Sequence, residues 1–448
     1  MTVQLHSRAL EALVRRIRTF FELVNTEQHQ PRARPRIPRR VFVHQGRGIE
    51  LTPESEIAFE RLIDSILKHN LLRRHMPRKT IERRVMNALL ESEPGDSIED
   101  LVSNLIDSLI GDIKRYRAYV PIGGIRFAAD ADIKAIPFGD MTLRVFGDAS
   151  EFEQAFREPF LRVLRDGLSE QEVRREDAWF IEHLTQLKWR PCLVVDVETG
   201  LENVRHVVFD RVQPIADFWQ FCVGAIMPPD WTPLVDYHVG SLRGGYEAFP
   251  VIAADESVVD LPTLPGGAPA VILTAGRIGY LEKLGLLGLA DVFGAADGDD
   301  GFGIDALLRR AIQNFADGER ATSRRQKLLS YTAAAELFFT RSEGTAVAVT
   351  HGIATLLAEA LQQPYKELRR LAIRMYDARS RTIHDGATPS PGAIATYSAL
   401  SQNVILAMIE RRSRFADREA ISAWSNPPPP RLQDAPGPHP EEIAPHAG

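Results

Sequence analysis

The stretch YDARSRTIHDGATPSP, residues 376–391, places Arg379, Ser380, Arg381 and His384 close together, with Asp377 beside them. These residue types bind anions and move protons. On a helix, Ser380 and His384 are four residues apart and share a face. Asp377 and Arg381 have the same spacing and can pair across one turn for about 0.2–0.5 kcal/mol. Arg379 and His384 are five apart, which turns them about 140° from each other around the axis. One helix therefore does not converge them on a single small group; a second helix, or a second copy of this one, would. Gly386 suits the left-handed position after a helix end, and Pro389 and Pro391 prevent continuation. His384 thus falls in the last turn, where the helix dipole favours the protonated imidazole. That is a sufficient structural reason for a histidine there, and the same physics supplies a proton donor near neutral pH. Periodicity alone leaves both readings open.

The helix that must carry these residues spans 364–385, with Leu368, Leu371, Ala372, Met375 and Ile383 as its apolar face. Helical periodicity also predicts helices over 304–317, 322–341, 344–362 and 392–415. Upstream, FGAADGDDGFGID (293–305) reads as a solvated linker ending on a cap at Asp305. It fails as a calcium loop: with Gly301 in the glycine place, the first, third and twelfth positions fall on Ala296, Gly298 and Leu307. Downstream, the Pro-rich 426–448 reads as a disordered tail.

The first hundred or so residues read as mostly helical, over 1–24, 52–70, 78–91 and 96–117. Thr52 is placed to cap the second helix and Pro53 to begin it, with Ser55 where a capping box needs Glu or Gln. Between the first two helices lies QPRARPRIPRR (30–40), whose prolines exclude a helix. Its arginines Arg32, Arg34, Arg36, Arg39 and Arg40 suit a solvated linker or a phosphate-tracking arm. From about 118 the pattern changes. YVPIGGIRF, MTLRVFG, CLVVDVET, RHVVFDRV and APAVILTAG read as short strands, and ASEFEQAFREPFLRVLRDGL as a helix among them. The expected fold class is α+β and multidomain. A helical N-terminal region with its basic linker occupies 1–117 and a mixed α/β region 118–295. An all-α bundle follows over 304–415, and then the tail.

The bulk numbers narrow the function classes. The 448 residues, 44% hydrophobic and 25% charged, are enough for two or three domains. A net charge of −6 and a pI near 6.1 argue against a generally basic nucleic-acid coat but permit a local patch. Cys192 and Cys222 offer neither metal spacing nor a disulfide framework. No apolar run reaches the length of a membrane span, and the N-terminus lacks a signal-peptide core, so a cytoplasmic protein is expected. Arg and Ala outweigh Lys and Asn, as in GC-rich bacterial genomes. Walker A, G-x-G-x-x-G, H-E-x-x-H and G-x-S-x-G motifs are absent.

YDARSRTIHDG resembles the signature helix of HEPN domains: an arginine, four to six residues, then a histidine, usually with a small polar residue after the arginine. Arg379, Ser380 and His384 fill those places. LLSYTAAAELFFTRSEG (328–344) resembles the second helix of the ApeA-like branch, including Glu336 before a hydrophobic pair. The segments RYRAYVPIGGIRF and IPFGDMTLRVFG are similar to N-terminal regions of such proteins. The main resemblance covers roughly 305–415 and implies a HEPN-like helical bundle. It also implies a metal-independent endoribonuclease, without cofactor, acting on RNA as a homodimer joined through the motif helix. His384 would move a proton, Arg379 would stabilise the charge on the phosphorane, and Ser380 would orient either group. Asp377 and Arg381 would support them, or form a plain surface ion pair. A buried Glu336 would need a partner, for which an arginine of the motif helix is one candidate. The family further implies the effector of a bacterial toxin or anti-phage system, with the upstream regions sensing an unidentified trigger. Some HEPN domains keep the fold as dimerisation or nucleotide-binding modules, which is the competing class.

Overall fold

The structure, a computed structural model, describes residues 7–29, 40–44, 47–68, 76–91, 97–111, 113–145, 161, 165, 169–184, 191–200, 203–227, 234–235, 251–253, 258–260, 270–294, 303–340 and 345–425. In chain order its elements begin with helix α1 (Ser7–His29), strands β1 (Arg40–His44) and β2 (Arg47–Leu51), and helices α2 (Pro53–Leu67), α3 (Arg78–Glu91) and α4 (Ile98–Gly111). Strands β3 (Ile113–Pro121), β4 (Ile125–Phe127), β5 (Ala135–Phe138) and β6 (Met141–Val145) follow, then helix α5 (Glu170–Leu184), strand β7 (Pro191–Gly200) and helix α6 (Val204–Ile226). Next come strands β8 (Val251–Ala253), β9 (Val258–Asp260) and β10 (Val271–Leu273), with helices α7 (Ala275–Lys283) and α8 (Ala290–Gly294). The chain closes with α9 (Ile304–Arg320), α10 (Arg324–Glu336), α11 (Thr345–Leu361), α12 (Tyr365–His384), α13 (Pro391–Glu410) and α14 (Arg418–Ser425). The fold is therefore mixed α+β with a helical C-terminal part.

Contacts group the chain into two interleaved units. The first comprises 1–122, 140–213 and 237–268; the second comprises 123–139, 214–236 and 269–448. Composition suggested boundaries near 118 and 295, whereas the contact grouping draws segments from both sides of them.

In the first unit, α1 to α4 share a core. Leu13, Ile17 and Phe20 recur at helical spacing on α1 and meet Phe59, Leu62, Ile63 and Ile66 of α2, with Val85 and Leu105 contributed by α3 and α4. Thr52 caps α2 as expected, accepting from Ser55 N at 3.2 Å. Arg78 ties α3 to α2 by contacting Asp64 at 2.7 Å and Glu60, and bonds Glu82 of its own helix at 3.0 Å. Strands β6, β7, β3, β8 and β9 lie in that order in a sheet whose β6–β7, β7–β3, β3–β8 and β8–β9 pairs are antiparallel. Alternation sets its faces: Tyr116, Ala118 and Val120 are buried beside Val197, Val195 and Leu193, while Arg117 and Asp196 meet on the other face at 2.7 Å.

The second unit pairs β4 with β10 in parallel. Ring contacts run through its core: Phe127 meets Trp219, Trp219 meets Phe218, and Phe218 meets both Phe138 and Phe293, while Phe315 meets both Phe221 and Tyr331. In α9, Ile304, Leu307, Leu308, Ala311, Ile312 and Phe315 form one buried stripe. Two glycines permit close helix packing: a Cβ on Gly318 would lie 2.5 Å from Tyr331 Cε1, and one on Gly352 would lie 2.3 Å from Phe339 Cδ1. Among the described residues, α13 is the one helix long and apolar enough to cross a membrane, and half of its most apolar stretch is buried inside the protein. Ser401 on that helix donates to Tyr331 O at 2.7 Å, as suits a bundle core helix.

Several expectations are corrected. The helix expected over 96–117 stops at Gly111, and residues from Ile113 join β3, where their alternation fits a half-buried strand. The mostly helical N-terminal region also contains the β1–β2 hairpin. RHVVFDRV is not a strand but lies inside α6, because Val204, Val208, Val212, Ile215, Ala216 and Trp219 repeat at helical spacing and are all buried. Asp305 does not cap α9; Gly303 holds that place, and Asp305 instead binds Arg412 with both oxygens, at 2.5 and 2.7 Å. The basic segment apart from Arg40, most of the linker over 295–302, most of the expected helix at 149–168 and the tail from 426 lie outside the described residues.

Candidate functional site

Helix α12 carries the candidate residues, and its ends are well defined. It begins after Pro364, with Glu367 in its first turn, and buries Leu368, Ala372, Met375 and Thr382. At its C-terminus Asp385 N and Ala387 N both donate to Arg381 O, at 2.9 and 3.3 Å, and Gly386 adopts φ +66°. A left-handed residue there is what a helix end of this kind needs, and glycine takes it without a Cβ penalty. Thr382 Oγ1 donates to Ala387 O at 3.1 Å. Ser390 then caps α13 by accepting from Ala393 N at 3.2 Å.

The first turn of α10 holds this turn in place. Arg324 Nη1 donates to Pro389 O at 3.0 Å, and Arg325 Nε donates to Thr388 Oγ1 at 2.9 Å. Ser323 caps α10 by accepting from Gln326 N at 3.1 Å, and the two arginines follow it directly, but their partners lie more than sixty residues on. No local signal could have announced them.

Arg379 and Glu336 meet, Nη2 to Oε1 at 3.2 Å, joining α12 to the last residue of α10. Arg379 is half-buried, and its guanidinium lies 5.6 Å from the ring centroid of Tyr376. Glu336 Oε2 is buried and accepts no hydrogen bond among the described residues. Burial pushes the Glu336 carboxyl above its ordinary range, and the Arg379 charge pulls it part of the way back. The partner expected for a buried Glu336 is thus Arg379.

His384 lies elsewhere on the helix. Its side chain is exposed, as are Asp377 and Arg381, and Ser380 is half-buried. Asp377 and Arg381 do not form the ion pair their spacing allowed, and Ser380 does not hydrogen-bond His384, among the described residues. Both pairings would join groups that water already solvates, so little holds them together. The structure therefore brings Arg379 to Glu336 and leaves His384 on the solvent side. It does not bring Arg379 and His384 together within one chain. Two further polar contacts were not foreseen: Tyr331 Oη donates to Glu319 Oε1 at 2.8 Å, and His351 Nδ1 lies 2.6 Å from Tyr365 Oη.

Among the described residues no group of three or more His, Cys, Asp or Glu side chains is arranged to hold a metal. Cys192 and Cys222 are both buried and unbridged. No family model, curated protein or solved structure matches this chain.

Proposed function

We propose that the C-terminal helical region is a HEPN-type endoribonuclease of the ApeA-like kind. It cleaves RNA by attack of a ribose 2′-hydroxyl on the adjacent phosphate. The 2′-oxygen–phosphorus bond forms, the bond to the 5′-oxygen breaks, and the products are a 2′,3′-cyclic phosphate and a 5′-hydroxyl. His384 moves a proton as base or acid. Arg379 neutralises the extra charge on the phosphorane, which a guanidinium can do with two parallel hydrogen bonds. The observation that carries this reading is the placement of His384. It is accessible in the last turn of α12, at the motif spacing from an arginine that is ion-paired with Glu336.

The divergence of Arg379 and His384 gives the reading its second part. Two copies joined through α12 around a two-fold axis would supply two arginines and two histidines to one cleft, so a homodimer is the working form. The reaction requires no metal or other cofactor. In a bacterial cytoplasm such an activity fits the effector of a toxin or anti-phage system, with the upstream regions as sensor. One observation favours the competing reading, a non-catalytic dimerisation or nucleotide-binding module: Arg379 is engaged by Glu336 and turned away from His384.

Overexpression separates the two. The nuclease arrests growth and the His384→Ala variant does not, whereas a binding module arrests growth in neither form. In vitro, activity survives EDTA and leaves 2′,3′-cyclic phosphate ends. Activity lost to EDTA and restored by magnesium would move the chemistry to carboxylates elsewhere in the chain.

A further inference from the structure

Helix α12 carries more positive charge than its motif uses. Lys366, Arg369, Arg370, Arg374 and Arg381 are all exposed. None of their side chains makes a hydrogen bond or ion pair with a described residue. Other arginines of the C-terminal region behave differently: Arg411, Arg412 and Arg414, just past α13, are paired with Glu410, Asp305 and Glu359 respectively. Acids do stand on the same face of α12, at Glu367 and Asp377, yet neither pairs with a cation.

At 100° per residue, the unpaired cations share an arc about 140° wide with His384, around the exposed Ile373. Arg379 falls outside that arc, on the side that meets Glu336. From Lys366 to His384 the stripe is about 27 Å long, with a cation at nearly every turn except that of Asp377. Lys366 and Arg370, and Arg370 and Arg374, are like-charge pairs at i,i+4, a spacing that destabilises a helix unless an anion intervenes. A row of solvated cations at one-turn intervals matches a ligand that repeats a negative charge along its length.

We propose that this face of α12 is a track for the phosphate backbone of single-stranded RNA, leading the strand to His384. The proposal rests on the RNA-cleaving reading and gives it a substrate form. A ridge one helix wide suits a single strand, and attack by a 2′-hydroxyl needs a nucleotide free to leave duplex geometry. Ile373, 39% exposed within the stripe, offers an apolar contact to a ribose or base.

The test measures binding without cleavage. A fluorescent 2′-O-methyl oligoribonucleotide, whose blocked 2′-oxygen cannot attack, is titrated with the 448-residue chain over a range of salt concentrations. Each phosphate contact on a single strand contributes about 0.7 to the slope of log affinity against log salt. The triple variant Arg369→Gln, Arg370→Gln, Arg374→Gln is expected to lower that slope by about 2 and to weaken binding at low salt. The matching triple lysine variant, which keeps the charge, is expected to retain the slope and shows that loss in the glutamine variant is not misfolding. An unchanged slope and affinity in the glutamine variant overturn the track. So does polyglutamate that binds as tightly as the oligonucleotide and is lost with the same variant, since the face would then serve an acidic protein. Because binding is read without catalysis, a chain that binds through these arginines and cleaves nothing would sink the nuclease reading alone.

Discussion

At the scale of single residues, the Arg379–Glu336 pair is the contact with the clearest energetic consequence. Burial raises the Glu336 carboxyl above its ordinary value of 4.5. A group shifted upward in the folded state gives stability that is complete below its unfolded value and is lost as pH rises through its folded value. Arg379 limits that loss by holding the carboxylate when it ionises. Arg379→Ala should therefore destabilise the protein at pH 7 by about 1–3 kcal/mol, the cost of a poorly satisfied buried polar group. The deficit should shrink as pH falls toward 4.5, because a protonated Glu336 needs no cation. Urea unfolding at pH 7 and pH 5 measures both terms; a deficit independent of pH would disconnect Arg379 from Glu336. His384→Ala, by contrast, removes an exposed side chain and should leave unfolding within about 0.5 kcal/mol of wild type. The same contrast marks what the sequence could reveal here. The Arg379–His384 divergence follows from helix geometry alone, and a buried Glu336 would need a partner, for which an arginine of the motif helix was one candidate. The clamp of Arg324 and Arg325 on the 388–389 turn depends on tertiary placement and left no trace in local spacing.

At the scale of elements, the packing of the C-terminal helices turns on two glycines. Gly318→Ala and Gly352→Ala would each drive a Cβ into a buried ring, Tyr331 at 2.5 Å and Phe339 at 2.3 Å. Each should cost about 1–3 kcal/mol by overpacking. Gly279→Ala is the control: a Cβ there meets nothing within 4 Å. It should stabilise α7 by up to about 1 kcal/mol through helix propensity. Denaturant midpoints decide; equal effects at all three positions would mean that the close approaches carry no energy. Helices α9 to α13 were legible because apolar residues recur at helical spacing and each run ends on a stop signal, as where Gly386 ends α12 and Ser390 starts α13, whereas the short α14 was not foreseen. Helix α6 was misread for a physical reason. RHVVFDRV is rich in β-branched and aromatic residues, and Pro214 argues against a helix continuing past it. Only a window reaching from Val204 to Trp219 reveals the helical repeat that tertiary packing enforces. The start of β3 was absorbed into the preceding helix because α4 and β3 are separated by a single residue.

At the scale of the whole molecule, the account requires two copies. The chain presents His384 to solvent and keeps Arg379 against Glu336, and the proposed reading completes a phosphate site with groups from a second copy. The 448-residue chain should form a homodimer whose two α12 helices flank one open cleft, tightened by a non-cleavable RNA or by sulfate lying in it, which relieve repulsion between the facing cations. Light scattering with and without the anion measures this, and cleavage at concentrations where no dimer is detectable would remove the composite site. The most direct test of the central claim is cleavage itself. Purified wild-type protein and its His384→Ala variant are incubated with total RNA in EDTA, and the products are resolved and their ends identified. The account predicts that wild type cuts RNA to 2′,3′-cyclic phosphate ends and that the variant is slower by about 10²–10⁴-fold. Cleavage by His384→Ala at the wild-type rate would contradict it.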